Sequence, residues 1–355
     1  MLALEAAHAG YRVTFMEGPS DVRALRARRR RREWVSAAAG RGSWKIEDNL
    51  FVRPRAGIVP GHRSESWERV SAYGLRTDLR RVPEIRSSVV VATTPWDWPA
   101  VAEAAGARSV FDAGDDWGAL IPRRRSAFAA RCVRIGREAD VIVTVSDHLA
   151  TSFRAPDRTH VIRNGVADAL LLPPVRERPR NARRLVYAGT LSERFDAELM
   201  TDVLPLLPGW SLDLVGPCRY AGHGDRPAPE LLALLAHPER VRLHPPVPHE
   251  DLVGALDAGT VLILPNRVEV ALGQDAMKLY DYAARGRPIV STAWAPDLER
   301  LAPPGTHLAN DARGFADAVL AAAESPPGDD LVRRAWAEQQ RWKDRFARWR
   351  EVILI

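Results

Sequence analysis

Lys278 and Asp281 stand three residues apart in the segment DAMKLYDYAARGRPIVST, residues 275–292. If this segment is helical, the two side chains share one face, with the aspartate one turn deeper than the lysine. The free N–H groups at the start of a helix, together with a lysine, attract phosphate. A carboxylate one turn away can accept both hydroxyls of a ribose. The pair is a candidate site for a nucleotide diphosphate, although the spacing by itself is more typical of a surface ion pair.

The same segment carries the start and stop signals of one short helix, predicted over 276–285. The stretch contains no glycine or proline and is rich in helix-forming residues. Asp275 is the expected N-cap, and Gly286 and Pro288 are the expected stop. The helix would bury an apolar stripe of Leu279, Tyr282 and Ala283.

Short apolar runs alternate with helical segments along most of the chain. Nearly continuous β-branched runs of this kind are typical of parallel strands that are buried on both faces. In the first half, strands are predicted at 11–17, 88–95, 109–114 and 140–147, with helices at 98–107 and 125–139. After a proline- and arginine-rich stretch at 170–184, the alternation restarts.

The 355 residues therefore predict an α/β chain of two Rossmann-like domains that face each other across a ligand-binding cleft. The predicted limits are 1–172 for the first domain, 173–184 for the linker and 185–329 for the second domain. The tail, 330–355, is predicted to be one long amphipathic helix that packs back on the body. Its stripe consists of Trp336, Trp342, Phe346 and Trp349.

The net charge is +6, and part of the excess lies in RALRARRRRREW, residues 23–34. A solvated arginine-rich face is the plainest interpretation. An anionic membrane surface or a lipid-linked phosphate is the alternative, because clustered basic residues are drawn to anionic headgroups. Nucleic acid is not predicted as a partner, since no stacking aromatic pattern or zinc spacing accompanies the run.

Several classes of protein are disfavoured by what the sequence lacks. No apolar run approaches the roughly 20 residues of a membrane span, and the first residues do not resemble a secretory signal. Cys132 and Cys218 lie in different halves, which suits a reducing compartment and gives no metal signature. The sequence predicts a cytoplasmic protein, with 23–34 as a candidate peripheral contact at the inner face of the membrane.

Several segments resemble, in order and spacing, those of GT-B glycosyltransferases, nearest to the family 4-like bacterial enzymes of polysaccharide and teichuronic-acid assembly. They are VFDAGDDWGAL (110–120), VIRNGV (161–166), LVYAGTLSERFD (185–196), WSLDLVGP (210–217), VRLHPPVPHEDLVGALDAG (241–259), VLILPN (261–266) and MKLYDYAARGRPIVST (277–292). The resemblance covers most of the chain and is most specific from 185 to 292. It implies an acceptor-side first domain and a second domain that binds a nucleotide sugar.

The resemblance also implies roles for individual residues. The donor-binding set would comprise Gly189, Thr190, Arg194, Met277, Lys278 and Asp281. Lys278, the amide of Met277 and Arg194 would hold the diphosphate, and the Gly189–Thr190 turn would face it. Asp281 stands where the family usually has a glutamate on the ribose, and it is one methylene shorter.

Two departures from the family pattern stand out. Gly273 occupies the position at which many members have a sugar-binding glutamate, and neither Glu269 nor Asp275 has the right spacing, so the sugar contact is unassigned. The chain also begins inside the first helix of the family. The sequence resembles a family sequence without its usual first strand and glycine-rich loop, as a misplaced start codon would produce. If the truncation is real, the first sheet is expected to lack a central strand, with poor stability or no activity as the consequence.

The implied reaction is the transfer of a hexosyl-type sugar from a nucleotide-diphosphate sugar, which is a substrate, so no cofactor is expected. The acceptor would be a glycan, a lipid-linked or a small-molecule hydroxyl in polysaccharide, cell-envelope or secondary-metabolite glycoside assembly. The helix start, Lys278 and Arg194 would stabilise the leaving diphosphate without a metal. Retention of the anomeric configuration is expected and needs no protein base. Asp115, then Asp116, is the candidate base for an inverting reaction, although GDDWG can equally be a polar turn.

Two alternatives stay open on sequence alone. An epimerase on the same fold would need an acidic catalytic constellation that is not evident, and a non-catalytic basic module would depend on the arginine run rather than on Lys278. The adjacent residues Ser146, Asp147 and His148 predict a strand end and helix cap rather than a catalytic triad. His244 and His249 do not have the spacing of a metal site, and His249 is a candidate border of the base pocket.

Overall fold

The computed structural model describes residues 1–18, 44–55, 64–82, 84–104, 108–220, 223, 225–271, 273–295 and 298–353. The chain divides into two compact units, residues 1–163 with 345–355 and residues 164–344. The predicted domain limits at 172 and 184 stay predictions. The arginine run 23–34 lies outside the described residues. Within the described ranges, no helix is long and apolar enough to cross a membrane.

The first unit contains two sheets. Its elements are α1 (Leu2–His8), β1 (Val13–Met16), β2 (Trp44–Glu47), β3 (Leu50–Arg53), α2 (Glu65–Arg80), β4 (Val89–Ala92), α3 (Trp98–Val101), β5 (Arg108–Ala113), α4 (Trp117–Leu120), α5 (Arg125–Glu138), β6 (Val141–Thr144), α6 (Asp147–Ala150) and β7 (Thr159–Val161). One sheet has the parallel order β4-β5-β6-β7, and the other has the order β1-β3-β2 with β2 antiparallel to β3. The helix predicted at 98–107 ends at Val101, and the β2–β3 hairpin and α2 were not anticipated.

The second unit is built on one six-stranded sheet. Its elements are α7 (Asp168–Leu171), β8 (Arg184–Ala188), α8 (Ala197–Val203), β9 (Ser211–Val215), α9 (Pro229–Leu235), β10 (Val241–His244), α10 (Leu252–Asp257), β11 (Val261–Leu264), α11 (Val268–Ala271), α12 (Met277–Ala284), β12 (Ile289–Ser291), α13 (Leu298–Leu301), β13 (Thr306–Leu308), α14 (Ala312–Ala323) and α15 (Pro327–Glu338). The strand order β10-β9-β8-β11-β12-β13 is parallel throughout. This is the doubly wound order, and its topological switch point lies between β8 and β11.

The core of the second unit is formed by strands that are apolar along their whole length. All four residues of β11 are buried, as expected for a central parallel strand with both faces covered. The predicted α/β class with two Rossmann-like sheets is therefore confirmed.

The C-terminal tail is two helices, so the prediction of one long helix over 330–355 is wrong. α15 ends at Glu338, and α16 spans Trp342–Ile353. Between them the N–H of Val166 donates to the carbonyl of Gln340, and the N–H of Trp342 donates to the carbonyl of Val166. These bonds take backbone groups that a continuous helix would use.

The aromatic stripe of the tail is divided between the two units. Trp336 of α15 stacks on Tyr280 of the second unit, with ring centroids 5.4 Å apart. Phe346 and Trp349 of α16 pack with Val110 and other strand residues of the first unit. The predicted packing of the tail on the body is thus confirmed, with a different target for each half.

Arg285, which directly follows α12 and is completely buried, holds residues 170–174 against the rest of the second unit. Its guanidinium donates five hydrogen bonds of 2.8–3.0 Å: to both carboxylate oxygens of Asp257 and to the carbonyls of Leu170, Pro173 and Pro174. A guanidinium has five N–H donors, so all are used. Buried carbonyls need donors, and this one side chain satisfies three of them.

Candidate functional site

Lys278 lies directly over the turn that follows β8. Gly189 in that turn has a φ of +149°, and a Cβ atom placed on it would be 2.1 Å from Cε and 2.8 Å from Nζ of Lys278. Glycine is required there for both backbone conformation and space. The ammonium group also lies 5.4 Å from the ring centroid of Tyr187, within range of a cation–π interaction. The turn and the lysine, 89 residues apart in sequence, thus form one surface.

The backbone on both sides of Gly189 is fixed by tyrosine hydroxyls. Tyr187 donates to the carbonyl of Thr190 over 2.9 Å, and the N–H of Ala188 donates to the hydroxyl of Tyr282 over 2.9 Å. Because Tyr282 belongs to α12, this helix and the end of β8 are locked together. The predicted buried stripe of α12, which includes Tyr282, is confirmed.

The start of α12 has no side-chain cap, so the prediction that Asp275 is the N-cap is wrong. Ala276 occupies the N-cap position. The carboxylate of Asp275 instead accepts from the N–H of Asn164 at 2.6 Å and from the hydroxyl of Tyr280 at 2.9 Å. The side-chain amide of Asn164 donates in turn to the carbonyl of Asp275 at 2.7 Å. The predicted stop is confirmed, since Gly286 follows the helix with a φ of +65°.

Asp281 is buried one turn below the start of α12, with 8% of its surface exposed. Its Oδ1 has no hydrogen-bond partner among the described residues. Its Oδ2 lies 3.6 Å from Nε2 of His249, which is beyond hydrogen-bond length. Burial raises the pKa of this carboxyl, and the nearby His249 and Lys278 act against that rise. The structure therefore brings together the two residues that the sequence singled out.

Two cationic side chains meet near the start of α12. The pKa of Lys278 is lowered to about 8, mainly by burial and also by the charge of Arg194, while Asp281 opposes both effects. Arg194 itself donates from Nη1 to Oε1 of Gln274 over 3.0 Å. Like charges in proximity favour an anion that neutralises both.

Two residues of this site were not found from the sequence. Gln274 orients Arg194, and its Nε2 is buried with no partner among the described residues. Gly216, at the end of β9, has a φ of +143°, and a Cβ there would be 2.2 Å from the carbonyl oxygen of Gly189. The glycine that directly follows the apolar run WSLDLV was the available signal for the second of these.

The acidic pair of the first unit follows β5. Asp116 is the N-cap of α4, where its Oδ1 accepts from the N–H groups of Gly118 at 2.9 Å and Ala119 at 3.1 Å. Asp115 precedes it in the bend after β5. Ser146 caps α6 through the N–H of Leu149, as predicted.

The remaining histidine and cysteine candidates are engaged or buried. His244 lies 2.8 Å from Asp213, on the neighbouring strand. Cys132 and Cys218 are both buried, and neither forms a disulfide. Within the described parts of the chain, no three His, Cys, Asp or Glu side chains come together as a metal site.

Residues 182–325 match the family model described as glycosyl transferases group 1. This match covers β8 to α14 and every donor-binding candidate. No curated protein matches the chain.

Solved structures match the chain over nearly its whole length. Sucrose-phosphate synthase from Thermosynechococcus elongatus is 15% identical with a TM-score of 0.70, over 99% of this chain and 89% of that one. Anabaena HepE in complex with UDP and glucose is 14% identical with a TM-score of 0.69, over 97% and 99%. WaaG, a glycosyltransferase involved in lipopolysaccharide biosynthesis, is 14% identical with a TM-score of 0.64, over 96% and 99%. These likenesses show the fold, and the resemblance to GT-B enzymes is confirmed.

Proposed function

We propose that this chain, a glycosyltransferase of the GT-B fold, transfers a sugar from a nucleotide-diphosphate sugar to an acceptor hydroxyl, with the donor bound by its second unit. One observation carries the proposal. Lys278 lies at the uncapped start of α12, above Gly189, with the partly unpaired carboxylate of Asp281 one turn deeper. A cationic helix start beside a buried acceptor suits a phosphate joined to a ribose.

The leaving group would be stabilised by groups that are already in place. The N–H groups at Met277 and Lys278, the Lys278 ammonium and Arg194 supply positive charge where the diphosphate develops negative charge. On this proposal the transfer needs no metal ion, and activity in excess EDTA is the expected outcome. HepE has been solved with UDP and with UDP-glucose, which supports UDP as the first nucleotide to test.

The acceptor is proposed to be a glycan or lipid-linked hydroxyl of an envelope polysaccharide. WaaG, which has a similar fold, is involved in lipopolysaccharide biosynthesis, and this supports the proposal. We propose retention of the anomeric configuration. Asp115 is the candidate base if the product is inverted, because Asp116 already caps α4. A peripheral membrane contact through 23–34 remains a prediction.

The test is thermal unfolding of the full chain with millimolar UDP, ADP or GDP. A nucleotide at ten times its Kd stabilises by about 1.4 kcal/mol, a shift of roughly 3–6 °C for a domain of this size. Lys278→Ala should remove the shift. Lys343→Ala, which removes an exposed lysine of α16, should keep it. A wild-type melting temperature that none of the three nucleotides changes would overturn the proposal.

A further inference from the structure

Arg194 is held at both its backbone and its side chain by the connection between β11 and α12. The N–H of Arg267 donates to the carbonyl of Arg194 over 2.8 Å, and Nη1 of Arg194 donates to Oε1 of Gln274 over 3.0 Å. The same connection leads directly into α12, whose first turn carries Lys278. One piece of the chain therefore places both cations of the candidate site.

The orientation of the Gln274 side chain follows from the chemistry of its partner. A guanidinium can only donate hydrogen bonds, so the amide oxygen must face Arg194. The amide nitrogen is buried and has no hydrogen-bond partner among the described residues. A glutamate here would make a stronger, charge-assisted bond to the guanidinium and would leave no N–H donor unpaired. The side chain that holds Arg194 is thus the weaker and uncharged acceptor of the two.

The positive charge of Arg194 acts on the groups around the start of α12. After burial, this charge is the second cause of the lowered pKa of Lys278, and Asp281 acts in the opposite direction. Burial raises the pKa of the Tyr187 hydroxyl, and the charge of Arg194 acts against that rise. His249, from the turn before α10, lies 3.6 Å from Asp281. The amide that holds Arg194 adds no negative charge to this set.

We infer that Gln274 is a positioning residue, which holds Arg194 beside Lys278 through a neutral acceptor and so keeps both cations available to the diphosphate of the donor. Gln274 acts through Arg194 and needs no contact with the ligand, in agreement with the burial of its amide nitrogen. Two like charges that are held close together are stabilised when an anion enters between them. The inference rests on the proposed function and assigns to Gln274 a role that depends on its lack of charge.

The first test is Gln274→Glu, which preserves the shape and the acceptor oxygen of the side chain and adds one negative charge. UDP should bind about 10- to 100-fold more weakly at pH 7, because a carboxylate a few ångströms away repels the phosphates. The loss of affinity with rising pH should also move to higher pH, since a nearby carboxylate favours the charged form of Lys278. Isothermal titration calorimetry between pH 7 and pH 9 measures both effects. A merely structural role would leave this pH profile unchanged.

The second test is a double-mutant cycle, which shows whether Gln274 acts through Arg194. Gln274→Ala should weaken UDP binding about 5- to 10-fold, a coupling usual for residues in contact. In an Arg194→Ala background the same substitution should have no further effect. If Gln274→Ala does not fold, as judged by denaturant melts, Gln274→Glu decides alone. Gln339→Glu and Gln339→Ala, at an exposed glutamine just after α15, should change neither the affinity for UDP nor its pH profile.

The outcomes separate this inference from the proposed function. UDP is the probe, and ADP or GDP replaces it if it binds more tightly. Additive losses in the cycle, wild-type affinity in Gln274→Glu, or an unchanged pH profile in that variant would each overturn the inference and leave the proposed function intact. A wild type that binds none of the three nucleotides would overturn the proposed function instead.

Discussion

The starts of α4 and α12 satisfy their backbone N–H groups in opposite ways. In the first unit, α4 is capped from within, because Asp116 accepts from two N–H groups of its first turn. In the second unit, α12 has an aspartate just before its N-cap position, but that carboxylate is held by Asn164 and Tyr280. Both segments have an aspartate at the start of the helix, but only in α4 does that aspartate cap the helix.

The difference separates a structural helix start from one that is ready for a ligand. A capped start has used its donors and carries a negative charge, so it repels phosphate. The start of α12 has no side-chain cap, and it adds the positive charge of Lys278. Because Asn164 and Tyr280 hold the carboxylate of Asp275, this negative charge does not cap the helix start at which a phosphate would bind.

The largest effect is expected from Gly189→Ala, which disrupts the contact between the turn after β8 and Lys278. The new Cβ would collide with Cε of Lys278 and would suffer a φ of +149°, so the ammonium group must move. We expect kcat/KM for donor to fall about 100-fold or more, the usual cost of a lost electrostatic contact in a transition state.

Gly254→Ala is the matched control for that substitution, because a Cβ on this glycine of α10 meets nothing within 4 Å. It should leave turnover unchanged. Full activity of Gly189→Ala would contradict the assigned position of Lys278.

The next effect is the pH dependence of UDP affinity, which should arise from the start of α12 and not from the start of α4. With a pKa of about 8 in the free site, Lys278 loses its charge as pH rises through 8. A terminal phosphate has a second pKa of about 6, so the charge of UDP changes little above pH 7. The loss of the Lys278 charge should therefore lower the affinity for UDP about tenfold between pH 7 and pH 9. Calorimetry should show proton uptake on binding at pH 9. A Lys278→Met variant that keeps the same slope would refute this cause.

A smaller effect is expected when the carboxylate of Asp275 is removed. Asp275→Ala leaves Asn164 N–H and Tyr280 O–H without their acceptor, which should lower the free energy of unfolding by about 1–3 kcal/mol. The segment before Lys278 would lose its anchor, and UDP should bind roughly 3- to 5-fold more weakly. Asp275→Asn, which retains an acceptor oxygen, should recover part of both losses in denaturant melts and calorimetry.

The smallest effect on ligand binding is expected from Asp116→Ala. Loss of the cap should cost about 1 kcal/mol of stability and should leave UDP affinity unchanged. Chemical denaturation and calorimetry on one preparation can measure both. Asp157→Ala, an exposed aspartate of the same unit, controls for the lost charge. A marked change in UDP affinity would contradict the purely structural role assigned to the start of α4.

Local signals were sufficient for most of α12 and for the doubly wound sheet. The stop at Gly286 and the apolar run of β11 follow from backbone and burial preferences that a few adjacent residues carry. The resemblance then selected Lys278 and Asp281 from many charged residues. These features could be predicted because each depends on neighbours in sequence.

Three features of the second unit were missed because their partners are distant in sequence. Asp275 was predicted to be the N-cap, but its carboxylate accepts a hydrogen bond from the N–H of Asn164, 111 residues earlier. The tail was predicted to be one helix, but the backbone of Val166 forms hydrogen bonds with Gln340 and Trp342 at the point where the helix is interrupted. The burial of Arg285 was not predicted, because the three carbonyls that it binds lie at least 111 residues earlier in the chain.

α12 has a second attachment at its other end. Its first turn faces the proposed phosphate site, and Arg285, just past its last turn, binds the carbonyls of Leu170, Pro173 and Pro174. Eight residues at 1.5 Å each make a rod of about 12 Å between these ends. A shift of α12 on anion binding would therefore be transmitted directly to the backbone of residues 170–174, inside the second unit.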